Sequence, residues 1–100
     1  MYVIVWEFIA RKDCKEQFES AYGEKGDWVA FFKKGDGYLH TNLLHDTGTA
    51  RRYLTIDHWT SASAYETFRD RHRQEYEDLD KRFANFTESE KFIGRFTIEE

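Results

Sequence analysis

Tyr2 to Ala10 (YVIVWEFIA) is apolar at nearly every position and rich in β-branched and aromatic residues, the pattern of a strand covered on both faces and central in a sheet. From Cys14 the apolar positions spread out. Cys14, Phe18, Ala21 and Tyr22 share one helical face, with Lys15, Glu16 and Glu19 on the other, and Gly23 stops the helix. Asp27 is placed to N-cap a second piece in which Trp28, Phe31 and Phe32 share a face, and Gly35 supplies its end. The first helix is thus predicted in two pieces, broken at Gly23 to Gly26.

Tyr38 to His45 and Arg51 to Trp59 read as antiparallel strands joined by the Asp46 to Ala50 loop. Setting Leu39, Thr41 and Leu43 beside His58, Ile56 and Leu54 gives one aliphatic face, assigned to the helices. Tyr38, His40, Asn42 and Leu44 then lie beside Trp59, Asp57, Thr55 and Tyr53 on a polar and aromatic opposite face. Ser61 or Ser63 can cap the next helix, and Ser63 with Glu66 fits a capping box. The stripe Tyr65, Phe68, His72, Tyr76, Leu79 and Phe83 predicts one long helix, uninterrupted by proline. A turn at Thr87 to Glu90 leads into a last strand, Phe92 to Ile98.

The order βαββαβ, with right-handed crossovers, specifies an α+β, ferredoxin-like domain: a four-stranded antiparallel sheet with both helices on one face. A single domain spans residues 1–100. The other sheet face would expose Tyr38, Tyr53 and Trp59, which predicts a homodimer packed sheet on sheet.

Composition narrows the function. Fifteen Lys and Arg against nineteen Asp and Glu give a net charge of −4, the wrong sign for a chain held on phosphate backbones, so no nucleic-acid partner is expected. No window approaches the roughly 18 consecutive apolar residues of a membrane span. The chain opens without a basic segment or cleavage site, and one cysteine, Cys14, allows no intrachain disulfide; a cytoplasmic protein is expected.

His72 is the most suggestive side chain, lying mid-stripe between Phe68 and Tyr76, where an imidazole could act as a base near neutral pH or serve as a hydrogen-bonded core histidine. Tyr76 could orient a ligand hydroxyl or bury its ring. His58, on the face assigned to the helices, could approach His72, but two histidines fall short of a zinc site and no metal is expected. His40 and Asp57 come out opposite each other on the other face, as a tuned pair or a structural one. Trp28, Phe31 and Phe32, faced by Tyr65 and Phe68, offer flat apolar walls suited to an aromatic ligand, or a core of large side chains. Arg69, Arg71 and Arg73, interleaved with Asp70 and Glu75, read as a solvated face. No glycine-rich phosphate loop, GxSxG elbow or HExxH is present.

The segments YVIVWEF, GDWVAFFKKGDGYLHTNLL, RRYLTIDHWTSASAYETFRDRHRQEYEDLD and TESEKFIGRF resemble the antibiotic biosynthesis monooxygenase domain family, most specifically at IDHWTSASAYETF and at the Gly-Tyr opening the second strand. The resemblance implies a dimeric α/β barrel whose subunits can hold a ligand between sheet and helices. It further implies a cofactor-independent monooxygenase acting on a phenolic or quinol-like molecule, for which the residues of this chain offer His72 as base and Tyr76 and Trp59 for positioning. A dimer that binds a small apolar molecule without turnover is the alternative. Haem-degrading relatives use an asparagine in the first strand and a histidine late in the long helix; this chain has Glu7 and Phe8, and no histidine in Asp78 to Phe83. Haem binding is the third and weakest reading.

Overall fold

The computed structural model describes residues 1–99. The apolar run Tyr2–Ala10 forms β1 and is central, as its pattern demands, between β3 (Arg52–Trp59) and β4 (Thr87–Thr97). β2 (Tyr38–His45) completes an antiparallel four-stranded sheet of order β2-β3-β1-β4. The helices are α1 (Lys15–Tyr22), α2 (Asp27–Phe32), α3 (Ala62–Arg71) and α4 (Arg73–Phe83), and a 3₁₀ turn, Ala84–Phe86, enters β4. The ferredoxin-like order is therefore as the pattern predicts. Several details differ.

The hairpin register is one. Tyr38 does pair with Trp59, but a bulge between Tyr38 and His40 shifts all that follows: His40 pairs with His58, Thr41 with Asp57 and Leu43 with Thr55. Pattern alone gives no sign of the extra residue. The face assignment is also inverted. Tyr53, Thr55, Asp57 and Trp59 are the buried positions of β3, and with Tyr2, Ile4, Phe8 and Ala10 of β1 most of them pack beneath the helices. Aromatic rings bury the largest apolar areas, so they take the covered side. The outer face carries Leu54, Ile56 and His58 beside His40 and Leu44, and Leu44 and Phe96 are 43% and 48% exposed. The uncovered surface is thus mainly aliphatic, with Phe96 and two histidines; Tyr53 and Trp59 lie in the core and Tyr38 is half-buried against it.

The long helix is two. His72, at φ −118° and ψ 29°, separates α3 from α4, although its N–H still donates to the Phe68 carbonyl (3.0 Å) and its carbonyl accepts from Tyr76 N–H (2.9 Å). Its ring is fixed against Phe68 (centroids 4.9 Å apart) and edge-on to Phe31 (6.0 Å). Neither proline nor glycine marks this joint. At the start of α3, Ser61 is the cap, its Oγ accepting from Ala64 N–H at 3.0 Å. Gly26 rather than Asp27 occupies the N-cap position of α2, and β4 begins at Thr87, absorbing the predicted turn. Gly37, at φ 93°, brings the chain into β2 beside the end of β3, where a Cβ would stand 2.5 Å from Thr60 Oγ1.

Candidate functional site

Between the inner sheet face and the helices lies a cavity of about 240 Å³. Trp6 and Phe8 of β1, Thr55 and Asp57 of β3 and Thr41 of β2 form its floor; Tyr22, Trp28, Phe32 and Tyr76 enclose it from the helices. Arg69, Asp80 and Glu90 complete the lining. Flat rings with a few polar groups are suited to an aromatic ligand.

Asp57 is the chemical centre of this lining. It is 8% exposed, and Thr41 Oγ1 donates to its Oδ1 at 2.7 Å. Since the Thr41 hydroxyl proton is committed to the carboxylate, the contact of 2.7 Å between Tyr38 OH and Thr41 Oγ1 is a bond that Tyr38 donates. The bulge permits this chain of bonds: Tyr38 and Thr41, three residues apart, would face opposite sides of an unbroken strand. Burial pushes the Asp57 carboxyl up to about 6, against the opposing effect of the Thr41 bond. A carboxylate so tuned can take a proton near neutral pH.

The remaining ionisable groups grade outward. Burial raises the Tyr76 phenol above its ordinary range, and the Arg69 guanidinium lies over its ring at 4.3 Å. Burial and then the charge of Asp80 raise the Glu90 carboxyl pKa, and both exposed residues line the cavity. A second, polar groove shares Arg69 and Tyr76 with the cavity and adds Tyr65, Arg73 and Arg95.

Of the site residues expected from sequence, Trp28, Phe32 and Tyr76 line the cavity. Phe31, Phe68 and Trp59 belong to the aromatic core, Trp59 at 0% exposure, and Tyr65 packs there with its hydroxyl accepting from Arg69. His58 lies on the outer sheet face, its ring stacked on His40 (4.0 Å) and its Nε2 2.9 Å from Asn42 Oδ1, so it does not approach His72. His72 is outside the cavity lining and sits 3.3 Å from Glu75 Oε1. Two expectations are corrected here: Asp57 faces Thr41 under the helices instead of His40, and Arg69 is a cavity residue, not part of a merely solvated face. Asp57 shares parity with Tyr53, Thr55 and Trp59, and assigning those rings to the core would have identified it. Among the described residues, no group of three or more His, Cys, Asp and Glu is placed to hold a metal ion.

Comparison with known proteins agrees with this architecture. The cofactor-independent oxygenase SnoaB of Streptomyces nogalater superposes with a TM-score of 0.79 at 19% identity, over 99% of this chain and 93% of that one. A candidate antibiotic biosynthesis monooxygenase from Deinococcus radiodurans gives 0.78 at 13% identity, over 100% and 94%. One from Nitrosomonas europaea gives 0.71 at 14%, over 97% of each chain. No curated protein matches at the sequence level. These likenesses are of fold. The family model for antibiotic biosynthesis monooxygenase matches residues 1–77, which takes in β1 through α3 and most of the cavity lining, and the chain belongs to that family.

Proposed function

We propose that this protein is a cofactor-independent monooxygenase of a small phenolic or quinol-like molecule, with Asp57 as the base. The observation that carries the reading is a buried carboxylate, its pKa raised to about 6, in the wall of an aromatic cavity. Asp57 takes the phenol proton, and the electron-rich phenolate ring then reduces dioxygen. A ring carbon bonds to one oxygen of O₂, and the outer oxygen takes back the proton held by Asp57 to give a hydroperoxide; the O–O bond then breaks, and the outer OH leaves as water with that carbon's hydrogen, leaving a quinone. One phenol and one O₂ thus yield one quinone and one water, with substrate oxidation matching oxygen reduction. The protein's part is to hold the ring, remove the proton and exclude water. Trp28, Phe32 and Tyr76 supply the ring contacts, and the place of His72 outside the lining favours Asp57 over it as base. SnoaB's description as a cofactor-independent oxygenase supports the same chemistry.

The assembly in this reading is a homodimer through the outer sheet face, which leaves Leu44 and Phe96 uncovered in a lone chain. The free Cys14 is in keeping with a reducing cytoplasm, and no helix among the described residues is long and apolar enough to cross a membrane.

Oxygen uptake with a panel of phenols and hydroquinones tests the reading. Turnover should fall by roughly 10² to 10⁴ in Asp57→Asn and persist in His72→Gln. Tight binding of these molecules without oxygen consumption by the unmodified protein would instead identify a binding module.

A further inference from the structure

Proton removal inside the cavity creates a phenolate among carboxylates. Asp57, Asp80 and Glu90 all line the space, and among the described residues Arg69 is the sole cation that does. Its two neighbours along the adjoining groove are neutralised: Arg73 pairs with Asp70 at 3.2 Å and Arg95 with Glu66 at 3.7 Å. No carboxylate lies within ion-pair distance of Arg69 among the described residues. Aromatic groups hold it instead, with Nη1 donating to Tyr65 OH at 3.2 Å and the guanidinium over the Tyr76 ring.

We propose that Arg69 is the residue that stabilises the substrate phenolate, so that the cavity takes phenols whose hydroxyl is shared between the Asp57 carboxylate and the Arg69 guanidinium. This rests on the reading of the cavity as a phenol-deprotonating site. A phenol ordinarily ionises about four pH units above the Asp57 carboxyl, so Asp57 alone leaves little phenolate at equilibrium. A facing cation lowers an acid's pKa by roughly 1 to 3 units. Tyr76 shows the sign of that field: burial and then Tyr65 raise its phenol pKa, Arg69 acts against them in favour of the phenolate, and Asp80 and Asp57 oppose Arg69. Arginine suits the task, since it stays charged at every working pH and its fork can bond Tyr65 and a ligand oxygen together.

The test uses 4-nitrophenol, whose anion is coloured, titrated while bound to the full-length protein. Its bound ionisation midpoint should rise by roughly 1 to 3 pH units in Arg69→Gln relative to the unmodified protein, and Arg69→Lys should restore most of the difference. Arg69→Met, which keeps an apolar stem against Tyr76, should behave like Arg69→Gln and serves if that variant folds poorly. A bound midpoint that is the same with and without the cation overturns the role of Arg69 while leaving Asp57 in place. Failure of the probe to bind any of these proteins counts against the phenol site itself, and this inference with it.

Discussion

Replacing Asp57 with Asn should make the protein more stable near neutral pH while removing its chemistry. The side chain keeps its shape, and Thr41 Oγ1 can donate to an amide oxygen as it does to the carboxylate. What changes is the cost of a buried charge. The Asp57 carboxyl ionises at about 6 in the folded chain against an ordinary 3.8, so folding favours its neutral form. Below pH 3.8 the group is neutral in both states and contributes no penalty; between 3.8 and about 6 the unfolded chain ionises first, and stability falls as pH rises. A gap of that size, at 1.36 kcal/mol per pH unit, amounts to about 3 kcal/mol once both states are ionised. Asp57→Asn should recover on the order of that amount at pH 7.5, a rise in thermal midpoint of roughly 12 to 24 °C for a domain this small. Urea unfolding of both proteins at pH 7.5 and at pH 4 is the assay. The gain should be large at the higher pH and shrink towards zero at the lower. A variant no more stable than its parent at pH 7.5, or equally more stable at both, would show that the carboxylate is not held at a cost.

The same reasoning extends to two other sites. Ser61→Ala should cost about 1 kcal/mol in thermal unfolding and Ser63→Ala less than about 0.5, because Ser61 holds the Ala64 N–H; the opposite order would restore the Ser63–Glu66 capping box. Sedimentation at pH 7.5 should report twice the chain mass, with association weakening as pH falls below 6.5 and doing so less in His58→Gln; a monomer at pH 7.5 would rule out the sheet-to-sheet dimer. The sign rests on the dimer covering His58 further: in the lone chain Nε2 is engaged by Asn42, Nδ1 is buried without a partner, and burial and then His40 already hold its pKa below the ordinary 6.5, so added cover at the interface would disfavour the protonated form again.

The fold was legible because periodicity survives in strong form. β1 and β2 have the predicted bounds, α1 stops at Gly23, and the βαββαβ order leaves few topologies. The hairpin's sidedness was not. A bulge adds one residue without changing composition, and alternation in Arg52–Trp59 fits either face, so inverting the assignment sent Asp57 outward and His58 inward. His72 attracted attention as an imidazole in an apolar stripe, yet helical spacing cannot distinguish a residue over a cavity from one at a joint. The aromatic walls were legible as a group, since Trp28, Phe32 and Tyr76 do converge, while Asp57, Thr41 and Arg69 required the register to be seen.

The joint at His72 also makes the cavity a matter of leverage. Arg69 rides on α3, whereas Tyr76 and Asp80 ride on α4, so opposite parts of one wall are carried by two rods meeting at a single non-helical residue. Asp80 stands eight residues beyond that pivot, an arm of about 12 Å at helical rise, and a rotation of about 10° there carries it about 2 Å. That distance is more than half the thickness of an aromatic ring. A change in the torsions of His72, or in what braces its ring, Phe31, Phe68 and Glu75, would therefore alter the width of the opening, although none of these residues lines the cavity.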